Sequence, residues 1–517
     1  MILLTWTSFP VLVLAILALL EVLNRCSQRI RDSRWWFCVI WFWRPFGLWA
    51  IFNIVFRALG KYGFNNRKTF PFYFNEWNGA GDWSQTIAWL LQCRGLWFWS
   101  LVLFALAVVF LFFCRWLVVK PPAARRTFFA LIILVAFGFV FPLVYDCLPE
   151  GAQAPLEGKG SFCNSWYDSG STMLYCMPYI RNQGHYLRNF QTIQPQLTAS
   201  IHGTTHPPGA SLALYWMGKL FGATKSIHTD IVRYALGNTL FAALGILAMF
   251  LLGRSLFRSN QVGLMGAALW TVKPAALAYN TFAPDSVYTV FYILCLGLIW
   301  RVATAEKRPW PSMFGLGIVF YALTMLNFIW PLLAGIFGVT ITIFAYRLRW
   351  KPQEWMLRCA APMAIMIVLL AWTCYAYRLN YIAIFHYAAT YYATYHRHGY
   401  QKAMEIVGGQ IDLYIMMGSL CAGMFWNYFP KWMRQKPLPP QAIFFLVIVA
   451  FQLTTIIFLQ GPAGEASRIW PWISALPLAV VADRMLKSGQ AGFYFIMALL
   501  LAMLQYYGMR LFLVALA

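Results

Sequence analysis

The sequence predicts an all-α integral membrane protein with about fourteen transmembrane helices and a long outer loop between residues 147 and 208. Hydrophobic residues make up 61% of the 517 positions and charged residues only 11%. An ordinary globular domain carries about 25% charged residues, so this chain belongs to another class. In addition, every second connection between the apolar runs is basic, as it is in chains that cross a bilayer repeatedly.

Apolar runs of about 18 residues or more recur from end to end, and each is long enough to cross the hydrocarbon core as a helix. The clearest runs are Ile2–Leu23, Leu96–Cys114, Phe128–Val144, Ala235–Leu252, Ile365–Tyr375 with its flanks, and Phe444–Leu459. The first run lacks a small-residue cleavage site before its basic flank, so we expect a retained span and not a signal peptide. The region 35–60 is counted as one of the spans, although Arg44 and Pro45 interrupt its apolar pattern.

The net charge of +24 is explained by membrane topology and not by nucleic-acid binding, because the cations are spread over alternate connections. The basic connections contain Arg25, Arg29, Arg31 and Arg34; Lys120, Arg125 and Arg126; Arg254 and Arg258; Arg301, Lys307 and Arg308; Arg347, Arg349, Lys351 and Arg358; Lys431, Arg434 and Lys436; and Arg484 and Lys487. The positive-inside rule places these connections in the cytoplasm. The intervening connections, 147–208, 280–285, 379–410 and 460–468, then lie on the outer side of an inner (cytoplasmic) membrane.

Three stretches of the chain differ in their pattern of apolar runs and connections. Residues 1–126 form a transmembrane extension with an aromatic segment, 70–90, that is typical of the outer membrane interface. Residues 127–350 hold the long loop and a series of spans with short connections, and residues 351–517 form a C-terminal transmembrane region. The sequence shows no soluble domain and no traceable repeat.

Cysteines and acids are the next candidates for chemistry. Cys147, Cys163 and Cys176 share the outer loop, where one disulfide would form in an oxidising compartment, and the pairing stays open. The chain has 16 acids, and few of them face outward. Asp146 and Asp168 belong to the long loop or its border, whereas acids such as Asp230 and Asp285 start spans, where a carboxylate favours a helix N-terminus.

A series of local motifs carries a family resemblance. In chain order these are an outer loop with an acid and many aromatics, His206-Pro207-Pro208-Gly209, Phe221-Gly222, Asp230 to Arg233, Gly253-Arg254, Pro284-Asp285 and, much later, the segment GPAGEASRIWPW at 461–472. This order resembles the GT-C superfamily of polytopic glycosyltransferases, in the branch of protein O-mannosyltransferases and aminoarabinose transferases. The resemblance covers residues 127–350 and 460–480, while the first 126 residues have no counterpart in it.

The resemblance implies a transferase that takes a sugar from a polyprenyl-phosphate donor and gives it to a glycan, lipid or protein acceptor on the outer face. It places the catalytic acid in the first outer loop, which here is Asp168, with Asp146 as the rival. Asp168 is followed by Ser169 and Gly170 where many family members carry a second acid. The sequence therefore assigns no metal ligand, and a divalent ion, Mg²⁺ or Mn²⁺, stays an open alternative.

The leaving lipid phosphate requires a cation aimed at it. Arg468 is the first candidate, with Glu465 one helical turn away to orient it, and an ordinary helix pair is the competing interpretation. Further candidates are His206, Arg188, Lys273 and Arg233. Lys273 lies in an apolar span, where a cation needs a functional or structural reason. His206 has a structural alternative, because prolines commonly start helices and the imidazole can simply bond the turn.

Two other classes of protein compete with the enzyme. A lipid-carrier flippase or other transporter would place ionisable residues near the bilayer midplane, whereas most polar residues here lie in the outer connections. A GT-C-like scaffold that has lost catalysis would also fit the missing second acid beside Asp168. A pocket that joins Asp168 to Arg468 would discriminate against the scaffold.

Overall fold

A computed structural model describes residues 9–58, 94–119, 123–148, 174–197, 201–224, 230–281, 283–395, 409–411, 413–458 and 470–514. These residues form α-helices and short 3₁₀ turns, and no β-strand occurs among them. The predicted all-α class is therefore confirmed.

The helices in chain order are α1 (Phe9–Cys26), α2 (Gln28–Arg31), α3 (Arg34–Ala58), α4 (Arg94–Val119), α5 (Ala124–Cys147), α6 (Gln183–Ile193), α7 (Ile201–Thr205), α8 (Pro208–Leu220), α9 (Ile231–Ala243), α10 (Gly245–Phe257), α11 (Asn260–Thr271), α12 (Pro274–Tyr279), α13 (Asp285–Thr304), α14 (Trp310–Leu326), α15 (Trp330–Arg347), α16 (Pro352–Tyr377), α17 (Tyr381–Tyr395), α18 (Ser419–Met433), α19 (Pro440–Phe458), α20 (Ala475–Lys487) and α21 (Ala491–Val514). The 3₁₀ turns are Met177–Tyr179, Gln194–Gln196 and Pro471–Ser474.

Eight helical segments of the described residues are long and apolar enough to cross a membrane. They are Leu96–Val119, Ala124–Cys147, Ile231–Phe257, Asp285–Thr304, Trp330–Arg347, Pro352–Tyr377, Pro440–Ile457 and Ala491–Met509. This confirms a multi-pass membrane protein. The predicted count of about fourteen also includes shorter helices, such as the 17-residue α14, and that larger number stays a prediction.

The region in which Arg44 and Pro45 interrupt the apolar pattern is a continuous helix over residues 34–58, α3, with Pro45 inside it. The side chain of Arg44 donates to Glu21 on α1 at 2.8 Å and stacks on the Trp41 ring at 4.2 Å. A partner from the neighbouring helix therefore neutralises the cation, and neighbouring helices are what allow a membrane helix to continue through proline. The sequence could not show this pairing because the two residues lie on different helices.

Small residues allow the central helices to approach closely. A side chain at Gly263 of α11 would meet the Phe250 carbonyl of α10 at 2.8 Å, and one at Gly253 would meet the backbone of Gly263 at 3.1 Å. Close approach of backbones through glycine is the usual device of membrane helix packing, because lipid offers little hydrophobic drive between helices. Helix α10 packs in turn against α13 and α20, and α11 packs against α20.

The helices of the N-terminal extension pack against the rest of the chain. Gly423 of α18 faces the backbone of Trp41 on α3, so no side chain larger than hydrogen fits there without movement. On α4, the ring of Phe110 packs edge-to-face on Phe137 and Phe141 of α5, with centroids 4.9 and 5.3 Å away. Buried residues of α3, α4 and α21 consequently belong to one continuous core.

Candidate functional site

The described part of the predicted outer loop, residues 174–197 and 201–208, packs on neighbouring helices. The buried Tyr186 hydroxyl lies 2.8 Å from the Ser211 hydroxyl on α8. The amide of Gln194 donates to the carbonyls of Thr204 at 2.8 Å and Ile384 at 3.3 Å, which ties the loop to α17. Because these polar groups are buried and paired, this part of the loop is a layer of the fold and not a solvated connection.

The His206-Pro207-Pro208-Gly209 motif starts helix α8, as the sequence predicts. Pro208 occupies the first helical position, where a missing N–H costs no hydrogen bond. Gly209 lies against the Met325 carbonyl at the end of α14, so any side chain there would collide with backbone. The prolines and the glycine are thus accounted for by helix start and close packing, which leaves His206 as the chemical group of the motif.

His206 lies beside the first turn of α13. Its Nδ1 is 3.3 Å from the Thr205 hydroxyl, and its ring centroid is 6.0 Å from that of Tyr288. Tyr288 follows Asp285 by three residues and precedes Tyr292 by four, so the three side chains share one face of α13. An imidazole, a carboxylate and two phenols therefore gather at one helix start.

Asp285 is the member of this group that the sequence analysis did not assign to the site. The sequence suggested only a favourable acid at a helix N-terminus, and the structure does place Asp285 in the first turn of α13. Asp285 is half-buried and lies one turn before Tyr288, whose ring packs near that of His206. The sequence signal that could have identified Asp285 is its spacing from Tyr288 and Tyr292, which puts the three side chains on one helix face directly after Pro284.

Lys273, one of the predicted cations, is buried between α11 and α12 with 1% of its surface exposed. Its ammonium donates to the Ser474 hydroxyl at 3.1 Å and the Pro471 carbonyl at 3.2 Å, and it lies 3.5 Å from the centre of the Trp270 ring. Burial of an ammonium costs several kcal/mol unless such partners compensate for lost water. Lys273 therefore fastens the 3₁₀ turn Pro471–Ser474 to the middle of the bundle.

A small cavity of about 10 Å³ adjoins Lys273, large enough for one water molecule. Ser286 and Thr289 of α13 line it together with Asn280 and Pro471. Ser286 directly follows Asp285, so the buried cation and the start of α13 border the same space. Residues that are far apart in sequence meet here, as the 198-residue separation of Lys273 and Pro471 shows.

Arg468 and Glu465 lie outside the described residues, as does Asp168. The described chain resumes at Trp470, two positions after Arg468. The Trp470 side chain is fully buried. Trp472 follows and packs on Tyr292 of α13, with ring centroids 5.6 Å apart. The segment that follows the predicted phosphate-binding arginine thus contacts the same helix start as His206.

Asp146, the rival of Asp168, lies in the last turn of α5 with 4% of its surface exposed. The neighbouring Tyr145 hydroxyl donates to the Met503 carbonyl at 3.0 Å and its ring packs on Tyr506 at 4.8 Å. Helix α5 also packs against α12, which begins directly after Lys273. Asp146 is therefore an interior carboxylate at the end of a span.

Two other predicted cations have different surroundings. Arg233 donates to the Asp230 carboxylate at 2.8 Å and to the Gly222 carbonyl at 3.0 Å, and Asp230 also accepts from the Thr224 backbone and hydroxyl. Burial acts to raise the pKa of the Asp230 carboxyl, but these hydrogen bonds and the Arg233 charge outweigh it and lower the pKa below its ordinary value. Arg233 thus stabilises the turn before α9, whereas Arg188 is exposed on α6.

The cysteines and possible metal ligands of the described residues have the following surroundings. Cys176 is buried beside Tyr186 and Ser211, and burial raises the pKa of its thiol to about 12. Cys163 lies outside the described residues, so the disulfide of the outer loop stays a prediction. Among the residues that the structure describes, no three His, Cys, Asp or Glu side chains lie close enough together to hold a metal ion. Participation of Mg²⁺ or Mn²⁺ remains to be tested.

Comparisons with known proteins complete the description. No family model matches the chain, and no curated protein matches it. Among solved structures, the crystal structure of an oligosaccharyltransferase from Archaeoglobus fulgidus, in complex with Zn and sulfate, is similar to this chain with a TM-score of 0.40 and 12% sequence identity. The match covers 74% of this chain and 53% of that chain, so this chain spans about half the length of the structure that it matches.

Proposed function

We propose that this chain is a membrane glycosyltransferase of the GT-C type. It would transfer a sugar from a polyprenyl-phosphate donor to a hydroxyl of a glycan, lipid or protein on the outer face of the membrane. The observation that carries the proposal is that His206 and Asp285 lie at the start of α13. The turn Pro471–Ser474, which Lys273 holds, packs on the same helix through Trp472. A carboxylate that can accept a proton and an imidazole that can face a leaving phosphate are groups that such a transfer needs.

The acceptor hydroxyl must lose its proton as its oxygen attacks the anomeric carbon, and a positioned carboxylate can accept that proton. Asp168 stays the first candidate on the resemblance, with Asp146 as its rival. The geometry adds Asp285, which lies on the helix face that contacts His206. A single displacement by this route inverts the configuration at the anomeric carbon.

The donor loses a lipid phosphate whose negative charge grows as the glycosidic bond breaks, so a cation must face it. Arg468 and His206 are proposed for this contact, and Glu465 would orient Arg468. Lys273 already donates to Pro471 and Ser474. We therefore assign it a positioning role, because it fixes the segment that follows Arg468 against α13.

The transporter alternative draws on the same buried lysine, since intramembrane cations often mark transport pathways. A pathway would need a water-filled route to Lys273, whereas the adjoining cavity holds about one water molecule. The ammonium is also engaged by three partners that belong to the fold. These two observations favour the enzyme.

Sugar transfer by purified protein in nanodiscs tests the proposal, with a mixture of polyprenyl-phosphate sugars as donors and membrane extract as acceptor. Variants Asp168→Asn, Asp146→Asn and Asp285→Asn would run beside wild type, each with and without a metal chelator. The matched control is Glu306→Gln, an exposed acid in a basic connection. The chelator arm decides whether a divalent metal takes part.

We expect wild type and the control to consume one donor, and the variant that lacks the base to lose about a thousandfold in rate, within the range of general-base catalysis. Loss in Asp146→Asn with an active Asp168→Asn would move the base to Asp146. Failure of folded wild-type protein to turn over any donor would refute the enzyme and favour the transporter or scaffold.

A further inference from the structure

A second cavity lies between α3, α18 and α20, apart from the site at the start of α13. Its volume is about 140 Å³, and Phe37, Asn427, Tyr428, Lys431, Val480 and Arg484 are among its lining residues. The three helices contribute the beginning of α3 and the ends of α18 and α20. Each of these ends adjoins a basic connection, so the charge pattern places the cavity on the cytoplasmic side of the membrane.

The charged groups that line this cavity are cations. Arg484 contributes a guanidinium group and Lys431 an ammonium group, and no acid is among the described residues that line the space. The acid nearest to Arg484 in sequence, Asp483, pairs with Lys487 at 2.8 Å. The cavity therefore carries an excess of positive charge that nothing in its own lining neutralises.

Two polar atoms at this cavity are buried without a hydrogen-bond partner among the described residues, namely the Arg484 Nε and the Tyr428 hydroxyl. The guanidinium carbon of Arg484 lies 3.7 Å from the centre of the Tyr428 ring, so stacking holds the planar group in place. A buried donor normally has an acceptor, and its lack in a native fold calls for an explanation. An oxygen-rich anion in the cavity would supply acceptors to both.

The remaining walls are apolar. Phe37 on α3 and Val480 and Val481 on α20 face the same space as the two cations. A small inorganic anion would use only the polar end, whereas a lipid would place its phosphate at Arg484 and its acyl chains along the apolar walls. Basic pockets between transmembrane helices on the cytoplasmic side are known to favour anionic head groups.

We propose that this cavity binds the phosphate group of an anionic lipid on the cytoplasmic side, with Arg484 and Lys431 as the charged contacts and Tyr428 as a neutral donor. Phe37 makes the N-terminal extension a wall of the site, and the close contact of Trp41 with Gly423 holds α3 against α18. The extension thus completes the pocket. This proposal is independent of the transferase chemistry at α13.

Isothermal titration of the full chain in detergent tests the proposal, with dihexanoyl phosphatidic acid as the anionic lipid, dihexanoyl phosphatidylcholine as the zwitterionic one, and inorganic phosphate alone. The variants are Arg484→Gln and Lys431→Gln, the second at an exposed position where folding is not at risk. Arg434→Gln is the control, because it removes an exposed cation one turn beyond Lys431 that does not line the cavity.

We expect saturable binding of phosphatidic acid, with a Kd raised about tenfold or more by Arg484→Gln and by Lys431→Gln and left unchanged by Arg434→Gln. Phe37→Ala should weaken the binding of phosphatidic acid and leave the binding of inorganic phosphate unchanged. If inorganic phosphate binds as tightly as phosphatidic acid, and Phe37→Ala changes neither affinity, the ligand of these cations is the free ion and not a lipid. Binding of equal strength in all variants, or no saturable binding of either anion, would overturn the proposal.

Discussion

Replacement of Lys273 by Met separates stability from activity, because it removes a buried charge together with the hydrogen bonds and the ring contact that this charge makes. The ammonium makes two hydrogen bonds, to Ser474 and Pro471, and lies over Trp270. Each hydrogen bond to a charged group contributes about 1.5–3 kcal/mol, and a desolvated cation–π contact about 2 kcal/mol. Their sum, about 5–8 kcal/mol, is offset by the several kcal/mol that burial of an unhydrated ion costs.

In Lys273→Met, the Ser474 hydroxyl and the Pro471 carbonyl still have a hydrogen-bond partner, because the hydroxyl donates to the carbonyl at 2.6 Å. We therefore expect a net change in unfolding free energy within about 2 kcal/mol. Ser474→Ala is the matched opposite: it keeps the buried ammonium and removes one of its acceptors, which should cost about 1.5–3 kcal/mol. Lys273→Met should thus unfold at the same temperature as Ser474→Ala or at a higher one.

Thermal unfolding in detergent, followed by tryptophan fluorescence, ranks the two variants, and the transfer assay measures their rates. Lys273→Met should lose about a hundredfold or more in turnover, or about 2.7 kcal/mol of barrier, because the segment after Arg468 is no longer fastened to the bundle. A Tm for Lys273→Met well below that of Ser474→Ala would show that the ammonium is a net stabiliser. An undiminished rate would remove Lys273 from the functional site.

The contacts of Gly209, Asp230 and Asp285 can each be tested by a single substitution. Gly209→Ala should lower Tm and cost about 1–3 kcal/mol, because its methyl group would meet the Met325 carbonyl, whereas Gly338→Ala, which has no neighbour within 4 Å, should leave Tm unchanged; equal effects would contradict the close packing. The pKa of Asp230 is lower in the folded state, so its stabilisation is complete above its ordinary pKa of about 4 and is lost as pH falls through the folded value. Asp230→Asn should therefore flatten the acid branch of the Tm–pH curve, and an unchanged branch would refute the assignment. Asp285→Asn should reduce the transfer rate about a hundredfold or more and cost no more than about 1 kcal/mol of stability, the usual contribution of a carboxylate at a helix N-terminus; a larger loss of stability with an undiminished rate would instead indicate a structural acid.

Local rules gave a reliable account of the helical elements. Proline at the start of α8 and Gly222 after its end, with a φ of +79°, follow from backbone chemistry that acts within a few residues. Membrane class follows equally from the sequence, because an apolar run must form a helix wherever no water can satisfy its backbone. Even the Asp230–Arg233 pair, three residues apart, lies within reach of helix spacing.

The candidate site needed the tertiary structure, because its members come from segments that only packing brings together. The sequence marked His206 and Lys273 separately, and it could not show that Pro471 and Ser474 surround the lysine across about two hundred residues of chain. It likewise left Asp285 as a helix-start acid, since the contact of His206 with α13 is made between segments about eighty residues apart. Sequence alone determined the membrane class, the alternation of basic connections and the starts and ends of single helices, which depend on short-range periodicity and solvent. Tertiary structure alone decided which polar groups share a space, because burial and distance between helices are set by side-chain packing over the whole bundle.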